Sequence, residues 1–230
     1  MDPVEVLLGT TIFRDLRRRD VEELLPDIRR SSYARGESVW LEGAPADALY
    51  VIVRGQLKSY RVSREGNEVI LALHSGGEVA GEVGLFHPSG TRRVNVSAME
   101  PTVCLILGRG ALVSFMTRHP PAMERMLERL SELTVRAAYS FSGVAFDDIR
   151  RRVAGALLAL GDEFGTSSGD GVRIRLKVSQ STLAALVAAS RENVNRALAS
   201  YSAAGVVSQR DGYFVIHDRA ALEAGSMGRR

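Results

Sequence analysis

Apolar residues recur along this chain with two different periods, and the change from one to the other falls near Pro120. From about Tyr33 to Leu107 they come in short β-type runs, SVWLEG, LYVIVRG, LKSYRV, EVILALH, VNVSAM and TVCLIL, punctuated by glycine at 36, 43, 55, 66, 76, 77 and 90. Regularly spaced short strands with glycine turns predict an antiparallel β-barrel or sandwich. The segment before them, containing VEELLPDIRR, reads as amphipathic. After Pro120 the period lengthens: Met123, Met126, Leu127, Leu130, Leu133, Thr134, Ala137, Ala138 and Phe141 recur at steps of three and four, the stripe of one long helix. A complete β domain leaves little surface to cover that stripe. The pattern therefore predicts a helix from a second chain as the cover, with the seam through Met126, Leu130, Leu133, Ala137 and Phe141, the alternative being a helix that lies back on the β domain.

The pattern breaks around GVAFDDIRRRV, which predicts a hinge near Phe146 to Asp148 and a new helix from about Asp148 to Phe164. A polar loop, GTSSGDG, ends that helix, and a strand, VRIRLKV, follows. The stretch SQSTLAALVAASRENVNRALASYSAAGVV then reads as two short helices broken by a small-residue turn, and AAGVVSQRDGYFVIHD as two β runs around an Asp-Gly turn. Helices followed by a small β-ribbon predict a winged helix-turn-helix.

On the second of those short helices, Ser190 is placed as the N-cap, its hydroxyl accepting a backbone N–H of the first turn. Arg191, Glu192, Asn195 and Arg196 then share one face, and Val194, Ala197, Leu198 and Tyr201 the other. The apolar face packs the helix down, and its polar N-terminal end is the end that a recognition helix presents to the major groove. A guanidinium can donate two parallel bonds to guanine, and a carboxylate can accept from cytosine N4. Exposed Arg and Glu on a helix are more often solvation than recognition. Their position after a helix-turn signal and before a wing decides for recognition.

Two motifs carry a family resemblance. SRENVNRAL, preceded by LAALVAA and followed by the wing, is similar to the recognition helix of the cyclic AMP receptor protein and fumarate-nitrate regulator family of bacterial transcription factors. GEVGLFHPSGTRRVNVSA resembles the phosphate-binding cassette of the same family. The resemblance covers roughly Ile12 to His217 and implies an α+β chain: an N-terminal antiparallel β-roll that senses an effector over 1–118, a dimerisation helix and hinge over 119–146, and a C-terminal winged helix-turn-helix over 147–230. In the cassette, Gly81, Glu82, Val83 and Gly84 would line the ligand, with Glu82 accepting a ribose 2′-hydroxyl and Arg92 forking a phosphate.

Two pairs depart from the pattern. Arg93 and Val94 stand where a small hydroxyl residue and Ala are usual, and Ala137 and Ala138 stand where cyclic AMP sensors set hydroxyls against the adenine. Arg93 follows Arg92 on a strand, so it either reaches around to the same phosphate, favouring a doubly charged ligand, or points into solvent. The expected effector is cyclic AMP or cyclic di-GMP; the alternatives are an empty cassette with constitutive DNA binding, or a nucleotide-binding regulatory module without DNA binding, against which the winged helix argues. On DNA, the resemblance implies a palindrome of TGTGA-like half-sites, with Arg191 and Arg196 on guanines and Glu192 opposite a cytosine. Ser179, Gln180, Ser190 and Asn193 fall to phosphates, and RNA polymerase is an implied partner. Ala188 occupies a turn position that is often Gly in the family.

Composition narrows the reading further. The net charge of +3 is small, but residues 148–230 carry twelve Lys and Arg against eight Asp and Glu, whereas the rest of the chain carries eighteen against nineteen. The basic surplus lies in the half expected to meet a polyanion. Cys104 is the one cysteine, so a single chain can build neither a disulfide nor a multi-thiolate iron-sulfur site, and Cys104 itself reads as a buried small hydrophobe. His74 and His87 near the cassette read as structural or exposed rather than as haem ligands, and His119 and His217 show no ligand spacing. The chain has no nucleophile elbow, P-loop, HExxH or dinucleotide fingerprint, which argues against an enzyme. Apolar runs stop at about half the length of a membrane span, and the start MDPVEVLLGTTIF carries acidic residues where a secretory leader carries basic ones. A cytoplasmic homodimer is expected.

Overall fold

A computed structural model describes residues 1–227, and of Ser140, Val144, Ala145 and Met227 the backbone alone; the last three residues of the domain expected over 147–230 lie outside the described residues. In chain order the elements are α1 (Pro3–Leu8), α2 (Arg18–Glu22), β1 (Ile28–Tyr33), β2 (Ser38–Trp40), β3 (Ala48–Arg54), β4 (Gln56–Val62), β5 (Glu68–Ser75), β6 (Val79–Ala80), α3 (Glu82–Phe86), β7 (Asn95–Ala98), β8 (Thr102–Gly108), α4 (Arg109–Arg118) and α5 (Pro120–Phe146). They continue with α6 (Ile149–Phe164), β9 (Gly165–Ser168), β10 (Gly171–Ile174), α7 (Gln180–Leu186), α8 (Arg191–Ala203), β11 (Val207–Arg210), β12 (Tyr213–Ile216) and α9 (Arg219–Met227). The chain divides into two compact units, Met1–Arg61 with Leu71–Ala137, and Val62–Ile70 with Ala138–Arg230.

The first unit holds two four-stranded sheets, in the orders β1-β8-β3-β6 and β2-β7-β4-β5. Their inner faces enclose Trp40, Ile52, Leu57, Ala80, Val96, Ala98 and Cys104. The outer face of the first sheet is covered by helices, and Leu49, Val51, Leu105 and Leu107 pack there with Val4, Leu7, Phe13, Leu112, Phe115 and Met126. This two-sided burial explains why β8 reads as an unbroken apolar run and not as alternation: Cys104 faces the roll interior while Leu105 and Leu107 face the helices. All six predicted runs become strands. β1 was hidden in the amphipathic start, because its Arg29, Arg30, Ser31 and Ser32 leave no apolar alternation; its pairing with β8, Ile28 opposite Leu107 through Tyr33 opposite Thr102, holds it in place.

The long helix α5 corrects the expected seam. Met126 is buried in the first unit's own core and Leu130 packs against it, so these two are already covered within the chain. Leu133 is half-buried, and Ala137 and Phe141 are exposed. Among the described residues, the large apolar side chains left exposed on α5 are Met123, Leu127, Val135, Tyr139, Phe141 and Phe146. α5 carries two apolar faces where the spacing was read as one.

In the second unit, Asp148 caps α6, its side chain accepting from the Arg151 N–H at 2.9 Å, and this fixes the break after Phe146. The GTSSGDG segment expected as a loop is instead edge strand β9, paired to β10 with Ser168 opposite Gly171 and Gly165 opposite Ile174. Cross-strand bonding outweighs the low β propensity of glycine and serine there. The sheet order is β11-β12-β10-β9, and the wing turn between β11 and β12 has positive φ at both Asp211 (54°) and Gly212 (85°), as an Asp-Gly hairpin requires. Between α7 and α8, Ala188 sits at φ 48°, so the turn does need the left-handed region and Ala occupies it at a strain of about 1 kcal/mol. Arg152 of α6 holds this turn, its Nη1 donating to the carbonyl of Val187 at 2.8 Å.

Candidate effector cassette and DNA interface

The cassette is assembled around one side chain. Arg92 is 2% exposed, and its backbone is pinned on both sides, its N–H donating to Ala44 O at 2.7 Å and its carbonyl accepting from Gly43 N–H at 2.8 Å. Its guanidinium lies over the Trp40 ring, 4.2 Å from the centroid, with the Tyr50 ring at 5.5 Å. Nη1 donates to Gly81 O at 3.2 Å and Nη2 to Ala48 O at 2.7 Å, while Nε is buried without an acceptor. The expectation of an Arg92 fork open to a phosphate is thereby changed: each terminal nitrogen already spends one of its two N–H groups on a carbonyl, and the Nε N–H has no acceptor.

Gly81 caps α3 at φ 100° and lets the arginine approach. A Cβ there would lie 2.5 Å from Arg92 Nη1, so the space that glycine leaves is filled by the chain's own guanidinium. Gly84 plays a milder part, since a Cβ on it would meet Ala46, the Arg92 Cα and Thr91 O at 3.4 Å.

Glu82, the first residue of α3, is 3% exposed and is already engaged. Arg129 of α5, 8% exposed, donates from Nε to its Oε1 at 3.3 Å. Burial pushes the Glu82 carboxyl above the usual carboxylate range, with the Arg129 and Arg92 charges pulling the other way. Arg129 was not singled out from the sequence, yet a signal was there: it lies at steps of three and four from Met126 and Leu133, a charge placed on an apolar face. Arg92 and Arg93 lie before β7, Arg93 in a bend, and not together on a strand as expected, so alternation does not decide between them; Arg93 is exposed to solvent. Val83 is half-exposed at 51%. Ala137 and Ala138 are exposed on α5, and their methyl groups offer no hydrogen bond to a base.

His74 of β5 is buried with Nε2 2.7 Å from Ser59 Oγ. Burial first, and the Arg129 charge second, hold its pKa at about 4 against an ordinary 6.5. Between those two values the unfolded chain carries the proton and the folded chain does not, so stability present at neutral pH is lost as pH falls from 6.5 through 4. The gap corresponds to about 3 kcal/mol. His74→Gln, which keeps a partner for Ser59, is expected to lose about 3 kcal/mol less than the parent protein between pH 7 and pH 4 in urea unfolding. The opposing slope of Glu82 is common to both proteins and cancels; curves that stay parallel would refute the assignment.

The DNA-facing candidates lie on α7 and α8. Ser179 caps α7, accepting from Thr182 N–H at 3.0 Å, and Ser190 caps α8, accepting from Asn193 N–H at 3.3 Å. Val194 and Tyr201 are buried, which fixes the helix so that Arg191, Glu192 and Arg196 face solvent. Arg196 Nη2 and Glu192 Oε1 form an exposed i,i+4 pair at 3.2 Å. A pair so exposed holds the two side chains side by side at little energetic cost to separate. Asn195 departs from the expected open face: it is half-buried, its Oδ1 has no donor, and it lines a cavity of about 300 Å³ with Gln180, Ser202, Ser208 and Gln209. Gln180 is half-buried at the same cavity. Among the described residues, no helix is long and apolar enough to cross a membrane, and no group of three or more His, Cys, Asp or Glu could hold a metal ion.

Comparison with known proteins covers both units. Residues 30–119 match the cyclic nucleotide-binding domain family, and residues 151–224 match the Crp-like helix-turn-helix domain family. A CRP-like cAMP-activated global transcriptional regulator from Mycobacterium tuberculosis is 30% identical over 218 residues, covering 95% of this chain and 97% of the relative. A cyclic AMP receptor protein from Thermus thermophilus is 29% identical over 220 residues, covering 96% and 98%. Among solved structures, the c-di-GMP responsive global regulator CLP of Xanthomonas campestris aligns with a TM-score of 0.72 at 26% identity, over 87% of this chain and 99% of that one.

Proposed function

The chain belongs to the cyclic AMP receptor protein and fumarate-nitrate regulator family of transcription regulators, and from that premise we propose that it is a cytoplasmic homodimer that binds a palindromic DNA site under the control of a small phosphodiester effector. The observation that carries the DNA reading is the capped, solvent-facing N-terminal end of α8, where Arg191, Glu192 and Arg196 stand free of the core. In this reading Arg191 and Arg196 take guanines of a TGTGA-like half-site and Glu192 accepts from a cytosine. Ser179, Gln180, Ser190 and Asn193 position the backbone. Two copies related by a twofold axis would read half-sites about 34 Å apart. RNA polymerase is the downstream partner that the family membership supports.

The effector reading rests on Arg92, whose buried Nε lacks an acceptor. The phosphate end of a cyclic nucleotide fits that donor; the base end does not find hydroxyls at Ala137 and Ala138, so adenine and guanine would be poorly distinguished. A second reading, DNA binding that needs no effector, is favoured by the bonds that Glu82 and the Arg92 terminal nitrogens already make within the chain.

Fluorescence anisotropy on a TGTGA-like palindrome and on random duplex, with and without cyclic AMP or cyclic di-GMP, tests both. Arg196→Ala is expected to lose about 1–3 kcal/mol on the palindrome and little on random DNA. Equal losses on both duplexes would reduce Arg196 to a phosphate contact, and effector-independent affinity would favour the second reading.

A further inference from the structure

The turn between α7 and α8 is held from outside itself. Ala188 follows the cap of α7, and the Ala189 N–H closes that helix back onto Ala184 O at 3.0 Å. In such a closure the residue between is left-handed and usually glycine. Ala188 takes that place at φ 48°, a conformation that its Cβ disfavours. From Leu183 to Ala189 every side chain is apolar, so any side-chain donor to the carbonyls of the turn must come from another element. Arg152 of α6 is that donor: its Nη1 donates to Val187 O at 2.8 Å and reaches Ala188 O at 3.5 Å.

Filling space did not require an arginine there. A methionine would occupy similar room without leaving a buried Nε that has no acceptor. The guanidinium also sets a positive charge at the carbonyl end of α7, where a helix favours one. What the bond fixes is a direction. Ser190, two residues after Ala188, caps α8, so rotation about the Ala188 backbone bonds would redirect the start of α8. From Val194 onward the helix has anchors of its own: Val194, Leu198 and Tyr201 are buried, and Tyr201 Oη donates to Arg150 O at 3.2 Å on the same first turn of α6. Arg191 and Glu192 lie ahead of those anchors and are exposed.

We infer that Arg152 is a positioning residue for DNA reading: its hold on the carbonyls of Val187 and Ala188 keeps Ala188 left-handed and thereby aims Arg191 and Glu192. This rests on the reading of α8 as the helix that meets DNA. Arg152 acts through the turn and not on a base or a phosphate. The hold matters because residue 188 is alanine; glycine, which takes positive φ without strain, would keep the same turn with less help. The need for Arg152 and the identity of residue 188 are therefore coupled.

Fluorescence anisotropy of the full chain on the palindrome and on random duplex, well below the melting temperature of every variant, tests that coupling. Arg152→Met should lower the ratio of palindrome to random affinity by about tenfold. In the Ala188→Gly background the same substitution should lower it by no more than about threefold, measured against Ala188→Gly itself. A role confined to stability would lower the melting temperature and leave the ratio of the folded protein unmoved. Should Arg152→Met fail to fold, Arg152→Met combined with Ala188→Gly carries the test, since it should fold and stay within about threefold of Ala188→Gly. The inference is overturned by a folded Arg152→Met that keeps the parent's ratio, even where both affinities fall together as they would for a lost phosphate contact. Equal losses of ratio in the two backgrounds overturn it as well, and so does a combined variant that is unfolded or has lost its preference for the palindrome. Arg196→Ala tells the two failures apart: a ratio that falls there and not in Arg152→Met keeps the reading of α8 and removes Arg152 from it. A parent without preference for the palindrome, or a ratio that Arg196→Ala leaves unchanged, removes both.

Discussion

Leu127→Glu is expected to separate the dimer into monomers and to lower affinity for the palindromic site by about a thousandfold, because linking two half-site readers gains roughly two to four orders of magnitude through effective concentration. Leu127 is 62% exposed on α5, and Thr134 and Phe141, seven and fourteen residues on, are exposed as well, Phe141 at 76%. Met123 and Ala138, four residues to either side of Leu127 and Thr134, fill the intervals of the same face. Seven-residue spacing with small and apolar intermediates is the pattern of a two-helix seam, and in a twofold seam each substituted residue meets its own symmetry mate. A glutamate at 127 would set two carboxylates near one another in a surface being dried, adding repulsion to desolvation. Sedimentation reads the first effect and anisotropy on whole and half palindromes the second. A variant that remains dimeric with the parent's DNA affinity would place the interface elsewhere. Leu130→Glu is a poorer test, since Leu130 packs against the first unit's core and its substitution would unfold what it was meant to separate.

The difference between those two leucines shows what periodicity can and cannot carry. Steps of three and four give the angular position of each α5 residue, so the length and apolar character of the helix were legible. They do not say which of two adjoining apolar faces the preceding domain will cover, because that depends on where α1, α4 and the outer face of the β1-β8-β3-β6 sheet come to lie. A stripe that was read as single and unpartnered turned out to be divided, with Met126 inside and Leu127 outside.

The cassette divides in the same way. The Gly81-Glu82 pair, the short turn after it and Arg92 were legible as a unit through their resemblance to the family's cassette. What lay beyond reach was the environment each would meet after folding. Trp40, on a strand more than fifty residues before Arg92, becomes the platform for its guanidinium only through sheet pairing. Arg129 reaches Glu82 across 47 positions of sequence. On the DNA side almost everything needed is local: Ser190, Arg191, Glu192 and Arg196 lie within seven residues, and a helix of known period fixes their relation. Asn195 departs because its neighbours at the cavity, Ser208 and Gln209, come from the wing.

Gly81→Ala is expected to destabilise the first unit by about 3 kcal/mol and to abolish effector binding, while DNA affinity in the absence of effector stays close to that of the parent. Two contributions add. At φ 100°, a residue with a Cβ is strained by about 1–2 kcal/mol relative to glycine. The new Cβ would also stand 2.5 Å from Arg92 Nη1, with Ala48 O at 3.3 Å and the Trp40 ring at 3.4 Å behind it. Nη1 cannot swing clear as the end of a loose side chain would, because the guanidinium is held between the Trp40 face and two carbonyls, on a backbone fixed to Ala44 and Gly43. Moving it breaks the bond to Gly81 O and leaves buried donors unpaired, which costs a further 1–3 kcal/mol or so. The displaced guanidinium no longer presents Nε where the cassette holds it, so phosphate binding goes with stability. α7, α8 and the wing, the elements proposed to meet DNA, belong to the second unit, whereas Gly81 belongs to the first. Denaturant unfolding, calorimetry with cyclic AMP and anisotropy on the palindrome read the three quantities separately. Stability within about half a kcal/mol of the parent, together with unchanged effector binding, would mean that Arg92 is far less tightly held than its contacts indicate.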